Sequence, residues 1–295
     1  MIIWKDKAIV LSKINYSENS LILKAFTLNN GIKTGLVKGG KKLNKSNIFE
    51  AGNLVTLEWK GRNEDVLGIF NCDLLEANSA IYLNDSKKFM SIISMLNLIE
   101  FSFLENESES ELFLSTYELI KLILNNEENW LEVYVKWELL LLKKIGFGLE
   151  LSTCIVSNTQ KNLVYVSPKS GCAVSKAAAK GYEKKLLPLP SFLVTEKKPS
   201  LKSIKEGLEL LVDYSRNQKK HGSEKRIFKV MEMIKSYGTH SKSMISKLES
   251  VAVYFETEEE NFPPHLSLRK ASVIKETISE IKSLVDQPKL IHLNY

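Results

Sequence analysis

The segment Gly35-Leu-Val-Lys-Gly-Gly-Lys-Lys42 comes close to a phosphate-binding P-loop, in which backbone amides cradle the phosphates and a closing Ser or Thr hydroxyl binds magnesium. Lys42 stands where that hydroxyl must be, and the pattern runs from a strand into a basic loop where a P-loop needs a helix. ATP hydrolysis is therefore not expected. What remains is a glycine-hinged, lysine-lined loop able to follow a nucleic-acid backbone; a plain solvated hairpin is the alternative. A second arrangement is Cys154-Ile-Val-Ser157 with Cys172-Ala-Val-Ser175, a four-cysteine zinc knuckle with half its ligands replaced. Structural zinc wants four Cys or His, and the first histidine is His221. No metal is expected, and packing and hydrogen bonds should hold the loops. The other histidines, His240, His265 and His292, show no Ser, Cys or carboxylate partner pattern. Cys72 alternates with Phe70 and Leu74, as a core residue would. With no acidic metal cluster in the basic regions, a nucleotidyl transferase or hydrolase ranks last, and no catalytic residues are assigned.

The ammonium groups are the remaining chemistry. Of 41 basic residues only Arg62, Arg216, Arg226 and Arg269 are arginines. Lysine binds phosphate as a point charge, without the bidentate fork that suits sequence reading. Residues 24 to 62 carry eight basic residues, Lys33 among them, against Glu50 and Glu58. Their candidate DNA contacts are Lys24, Lys38, Lys41, Lys42, Lys45, Lys60 and Arg62, with Lys38, Lys41, Lys42 and Lys45 foremost. Tyr16, in an Asn-Tyr-Ser loop, is a possible base-stacking platform. Residues 81 to 150 are net −6 and residues 151 to 237 net +10. Two basic regions flanking an acidic one can focus a polyanion; solvated charged faces are the bland alternative.

The elements that must position these residues change character along the chain. Residues 8–14, 20–28, 32–38, 53–60 and 66–75 read as short strands separated by Asn, Gly and Ser clusters. Asn29-Asn30-Gly31 is a turn signal. Val55, Leu57 and Trp59 share one face of their strand, which makes Trp59 a core residue. Five short strands in so short a span suggest a small closed barrel, with an OB-type barrel the economical choice. From about Ser86 the period is helical: residues 87–104 are apolar on almost every side and belong inside a bundle. Residues 109–125 are amphipathic, and 130–145 end at Gly146 and Gly148. Residues 162–166 and 172–174 form a hairpin-like excursion, and helices resume at 175–185, 201–217 and 224–237. Beyond Tyr237 come an acidic cluster (Glu256, Glu258, Glu259, Glu260), Pro263-Pro264 and an amphipathic stretch at Ile274, Ile278, Ile281 and Leu284.

The expected class is α+β and multidomain: a five-stranded OB-fold barrel (1–80), an all-α helical domain (81–237) carrying a small hairpin and the degenerate knuckle (154–175), and a C-terminal extension without an assigned role (238–295). The longest nearly charge-free run, interrupted by Glu100, falls short of the ~18 to 20 apolar residues of a membrane span. Lys5 and Asp6 sit where a secretory signal would be apolar, and three widely spaced cysteines give no disulfide framework. A cytoplasmic, nucleoid-associated protein is expected.

Several stretches together resemble one family. Trp4-x-x-x-Ala8-Ile-Val-Leu, Tyr16-Ser-Glu-Asn-Ser20-Leu-Ile-Leu, Phe26-Thr27, Gly31 and Val37-Lys-Gly-Gly-Lys41 are similar to the bacterial recombination mediator family RecO. Trp137-Glu-Leu-Leu-Leu-Leu-Lys-Lys-Ile-Gly-Phe-Gly-Leu149, Leu151-Ser-x-Cys154, Tyr165-Val-Ser-Pro-Lys-Ser-Gly171 and Leu187-Pro-Leu-Pro190-x-Phe-Leu resemble its alphaproteobacterial form. The resemblance spans about residues 1 to 210. It implies an N-terminal OB-fold, a helical domain and a non-enzymatic role in recombinational repair through the RecF pathway: binding single- and double-stranded DNA, annealing complementary strands, and with RecR helping to place RecA on strands coated by single-strand-binding protein. Some members carry a four-cysteine zinc site; Ser157 and Ser175 occupy two of its positions here, so zinc does not carry over. The acidic C-terminal tail of single-strand-binding protein would suit a lysine-rimmed groove near Lys184, Lys185, Lys197 and Lys198. An adaptor that binds only proteins is the alternative.

Overall fold

The computed structural model describes residues 1–41, 46–63, 66–83 and 85–217. Lys42, Lys45, the expected helix at 224–237 and the 238–295 extension lie outside the described residues.

Five strands, β1 (Ile2–Asn15), β2 (Leu21–Thr27), β3 (Gly31–Val37), β4 (Leu54–Gly61) and β5 (Gly68–Glu76), close into a barrel of order β1-β2-β3-β5-β4. β1 is long because it serves two neighbours. Its first half pairs with β4, from Ile2 opposite Gly61 to Ile9 opposite Leu54, and its second half pairs with β2. A bulge between Val10 and Ser12 bends the strand from one partner to the other. A parallel contact, Gly35 opposite Gly68 and Leu36 opposite Ile69, closes the ring. Alternation then sorts side chains to two faces. Ala8, Val10, Leu23, Ala25, Val55, Leu57, Trp59 and Phe70 fill the interior.

The opposite faces of β1 to β4 send Ile9, Leu11, Phe26, Ile32 and Leu54 outward into a second core, which the helices complete. α1 (Ser79–Tyr82) leads to α2 (Ser86–Ser102), whose start is capped by Asp85 accepting from the Lys87 and Lys88 amides at 3.0 and 3.2 Å. α2 buries Ile92, Met95, Leu96, Leu98 and Ile99, as its nearly all-round apolar sequence predicts. α3 (Ser110–Leu124) and α4 (Trp130–Lys144) follow. Phe113 of α3 meets Phe26 of β2 edge-to-face at 5.5 Å, and the Trp137 indole donates to Thr116 Oγ1 at 3.0 Å. Asn53 and Asn78 join the two parts by polar contacts: the Asn53 amide oxygen accepts from the Ser79 amide, and the Asn78 side chain donates to Gly52 O, both at 2.9 Å.

Glu138 of α4 is fully buried among these apolar residues. Its carboxyl oxygens make no hydrogen bond of ordinary geometry. Burial pushes it up to about 8, with the Tyr134 hydroxyl tempering the shift.

A three-stranded sheet of order β7-β6-β8 forms the far end: β6 (Leu163–Val166), β7 (Ala173–Ser175) and β8 (Leu187–Pro188). It packs on Leu210 of α5 (Leu201–Asn217). The hairpin expected at 162–174 is present. The helix expected at 175–185 is not. Residues 176–182 are turns, Gly181 takes φ of 85°, and only Glu183–Lys185 winds, as a single 3-10 turn before β8. Three alanines in that stretch favour a helix locally, but the chain must reverse there to deliver β8 beside β6. Among the described residues, no helix is long and apolar enough to cross a membrane.

Candidate nucleic-acid interface

The outer surface of the barrel carries a girdle of outward-facing residues that winds across all five strands. Across the strands, neighbouring outward residues run Ile14, Ile22, Leu36, Ile69, Lys60 and Ile3. Inter-strand spacing makes this path about 24 Å long as it winds round the barrel. Ile14 is 65% exposed, Ile3 55% and Ile69 37%. Ile22 and Leu36 between them are half-buried and Lys60 interrupts the run, so the path is a mixed apolar and cationic surface. Strand alternation predicts the outward position of Ile3, since Trp4 and Ala8 face inward, but not that of Ile14, which lies beyond the bulge that resets the alternation.

Cations stand along this girdle. Lys60 is a member of it, and Arg62 lies two residues further on; both are exposed. Lys38 is exposed in the turn that ends β3, two residues beyond Leu36. The Lys41 ammonium donates to Ser17 O at 2.7 Å, which pins that turn to the β1–β2 loop where Tyr16 is 63% exposed. Among the described residues Lys38, Lys60 and Arg62 have no carboxylate at ion-pair distance, in contrast to Lys5, bound to Glu58 at 3.2 Å, and Lys13, bound to Glu50 at 2.6 Å.

Two lysines of the basic segment stand elsewhere. Lys24 points to the helices and pairs with Glu100 at 3.1 Å; next to it, Thr34 hydrogen-bonds Glu105. Lys33 is inside the barrel, 2% exposed, so its charge does not belong to the basic surface. The sequence count treats all these lysines alike, whereas strand alternation divides them between three environments.

At the far end, Lys184 and Lys185 occupy the 3-10 turn before β8. Lys197 and Lys198 follow the Ser191–Leu193 turn, and Lys198 pairs with Glu128 at 2.7 Å on the open surface. All four are exposed. Between the sheet and this segment lies a cleft of about 720 Å³, lined in part by Leu151, Leu163, Leu193, Val194 and Thr195. The four lysines do not line it; Lys197 and Lys198 lie just beyond its Thr195 wall.

The two C-x-x-S loops do come together. Ile155 N donates to Ala173 O at 3.0 Å, and the Ser157 and Ser175 hydroxyls are 3.4 Å apart. Burial raises the Cys154 thiol, but hydrogen bonds from Ser157 and from the Ser175 amide, at 3.2 Å, outweigh it and bring it down to about 6. The Cys172 sulfur faces Ser170 O instead. Two thiols and two hydroxyls do not fit structural zinc; serine hydrogen bonds do the joining. Cys72, partly buried against the barrel core, is pushed up to about 12 by burial and by Asp73, which fits a packing residue better than a nucleophile.

A small closed barrel shares a core with a helical bundle, and sequence similarity assigns this architecture to a family named for DNA recombination and repair. The family model described as recombination protein O N terminal matches residues 1–77, and the one described as recombination protein O C terminal matches residues 83–224. The chain belongs to the recombination protein O family. Its relatives include the DNA repair protein RecO of Wolbachia sp. subsp. Drosophila simulans (strain wRi), 38% identical over 191 residues that cover 64% of this chain and 78% of the relative. The RecO of Orientia tsutsugamushi (strain Ikeda) is 37% identical over 191 residues, 65% of this chain and 79% of that protein. The RecO of Cereibacter sphaeroides is 31% identical over 210 residues, 71% and 87% of the two chains.

Proposed function

We propose that this protein is a non-enzymatic, cytoplasmic recombination mediator that binds single- and double-stranded DNA, anneals complementary strands, and with RecR helps load RecA onto strands coated by single-strand-binding protein. One observation carries the reading: among the described residues, Lys38, Lys60 and Arg62 stand clear of carboxylates beside partly exposed apolar residues of the barrel surface. The strand order, with β1 shared between β2 and β4 and a parallel β3–β5 closure, supports an OB-fold. On such a surface phosphates meet ammonium and guanidinium groups, while sugars and base faces lie on Ile3, Ile14, Ile69 and Tyr16. Base edges stay free to pair, as annealing requires. Lys41 adds a cation at the turn after β3, and Lys42 and Lys45, which follow it in the sequence, are further proposed DNA contacts. Lys24 contributes to the DNA surface only if it leaves Glu100.

The lysines at 184, 185, 197 and 198, the last two beside a cleft of mixed polar and apolar lining, support docking of the acidic tail of single-strand-binding protein. Charge reversal at the four should abolish its capture; unaffected capture removes them from the site. A strand-annealing assay with and without single-strand-binding protein, combined with a polarisation titration of labelled oligonucleotide against salt, tests the main reading. Annealing and steep salt dependence are expected. Absence of tight binding at low ionic strength would leave a protein-only adaptor.

A further inference from the structure

Inside the barrel, close to its Lys60–Arg62 end, three hydrogen-bond donors gather with nothing among the described residues to accept from them. Trp4 of β1 and Trp59 of β4 face each other across the ladder and stack at 5.7 Å between ring centroids, 14° from parallel. The Lys33 ammonium lies over both, 5.2 Å from the Trp59 ring and 5.9 Å from the Trp4 ring. Lys33 is 2% exposed and Trp59 1%; Trp4 is half-buried and brings the group to the surface. Among the described residues, Lys33 Nζ, Trp4 Nε1 and Trp59 Nε1 are all buried and all without a hydrogen-bond partner. Donors cannot satisfy one another. The carboxylate on the same inward face, Asp6, is already taken by the amides of Lys7 and Asn29 and the side chains of Asn29 and Asn30, at 2.8 to 3.0 Å.

Two indole faces compensate a desolvated ammonium only in part. The fold nevertheless holds this group tightly: Gly68 passes so close to the Trp59 indole that any side chain there would collide with it. A cation and two N–H groups call for a ligand with several acceptor oxygens and negative charge. Of the three residues Trp4 is the one that reaches the surface, so the group suits the end of a ligand better than the middle of a continuous strand.

We propose that Lys33, Trp4 and Trp59 form a site for a phosphate monoester, supplied as inorganic phosphate or as the terminal phosphate of a DNA strand. The second source rests on the DNA-binding reading above. The lysine neutralises the anion, the indole N–H groups fix its orientation, and Lys60 and Arg62 stand at the barrel end from which it enters.

The test uses the full-length protein. Intrinsic tryptophan emission is followed during titration with inorganic phosphate against chloride at matched ionic strength, and polarisation compares one oligonucleotide bearing a 5′-phosphate or a 5′-hydroxyl. A saturable phosphate response is expected, weakened roughly tenfold or more in Lys33→Met and several-fold in Trp4→Phe, which keeps a ring and removes the donor. A 5′-phosphate preference lost in Lys33→Met identifies the DNA end as the source; a phosphate response without that preference identifies the free ion. If Lys33→Met fails to fold, Trp4→Phe carries the comparison. No saturable phosphate response together with equal binding of the two oligonucleotides overturns the site and leaves the DNA reading intact. Phosphate binding without oligonucleotide binding keeps the site and overturns the DNA reading.

Discussion

Replacing Glu138 by Gln should change how stability depends on pH. The carboxyl is wholly buried in α4 with no hydrogen bond of ordinary geometry, and it titrates near 8 instead of 4.5. Burial penalises the charged form, so the folded chain keeps a proton that the unfolded chain releases. The full stability is present below about pH 4.5 and is lost progressively as pH rises through about 8. Each pH unit in that window costs about 1.4 kcal/mol, so the loss reaches about 3 kcal/mol at neutral pH. Glu138→Gln removes the titration while keeping the shape. Urea unfolding of both proteins at about pH 5 and about pH 7.5 should show the variant gaining about 3 kcal/mol on the wild type between the two conditions. Cys154, lowered to about 6, adds a trend of opposite sign, stabilising as pH rises above 6; it is common to both proteins and cancels in their difference. A difference that stays within about 1 kcal/mol across that range would refute the argument from burial.

Other outcomes follow from the interface and the loops. Removing Lys38, Lys60 and Arg62 together should flatten the slope of log affinity against log salt for single-stranded DNA by about 2, near 0.7 per contact, in a polarisation titration; Lys24→Ala, whose charge sits on Glu100, should leave the slope unchanged. Gly31→Ala should cost at least about 1 to 3 kcal/mol of stability in urea unfolding, because Gly31 takes φ of 68° and a Cβ there would strike the Glu107 backbone. The double variant Ser157→Cys, Ser175→Cys should acquire cobalt or zinc in the ratio of one ion per chain, read from thiolate-to-cobalt absorption; no such band would show that Cys172 does not turn from Ser170 to join the others.

The barrel is legible because each strand is bounded by its own turn residues and alternates to an end: Val55, Leu57 and Trp59 share an interior face as the pattern requires. α5 reads as a helix from Leu201 to Asn217 because its apolar stripe is uninterrupted. The stretch after Ser175 misleads because Ala177, Ala178 and Ala179 favour a helix, while the need to bring β8 to β6 decides the outcome. The lysines mislead differently. Charge counting cannot see that Lys33 alternates inward with Gly35 and Val37, or that Lys24 meets a carboxylate from a helix far along the chain. Glu138 was within reach, since it falls on the stripe of Tyr134, Val135, Leu141 and Leu142, but a single carboxyl in a charged helix draws no notice until its neighbours are known.

Ile9, Phe26, Ile32 and Leu54 belong to the barrel by connectivity and to the helical core by packing. A cut between residues 77 and 83, where the two family matches part, would therefore expose that seam to water on both fragments, and neither half should be expected to behave as a free-standing module. For the intact molecule the same seam acts as a weld. A DNA strand bound on the barrel surface, as proposed above, would therefore sit on the same packed body as the helices.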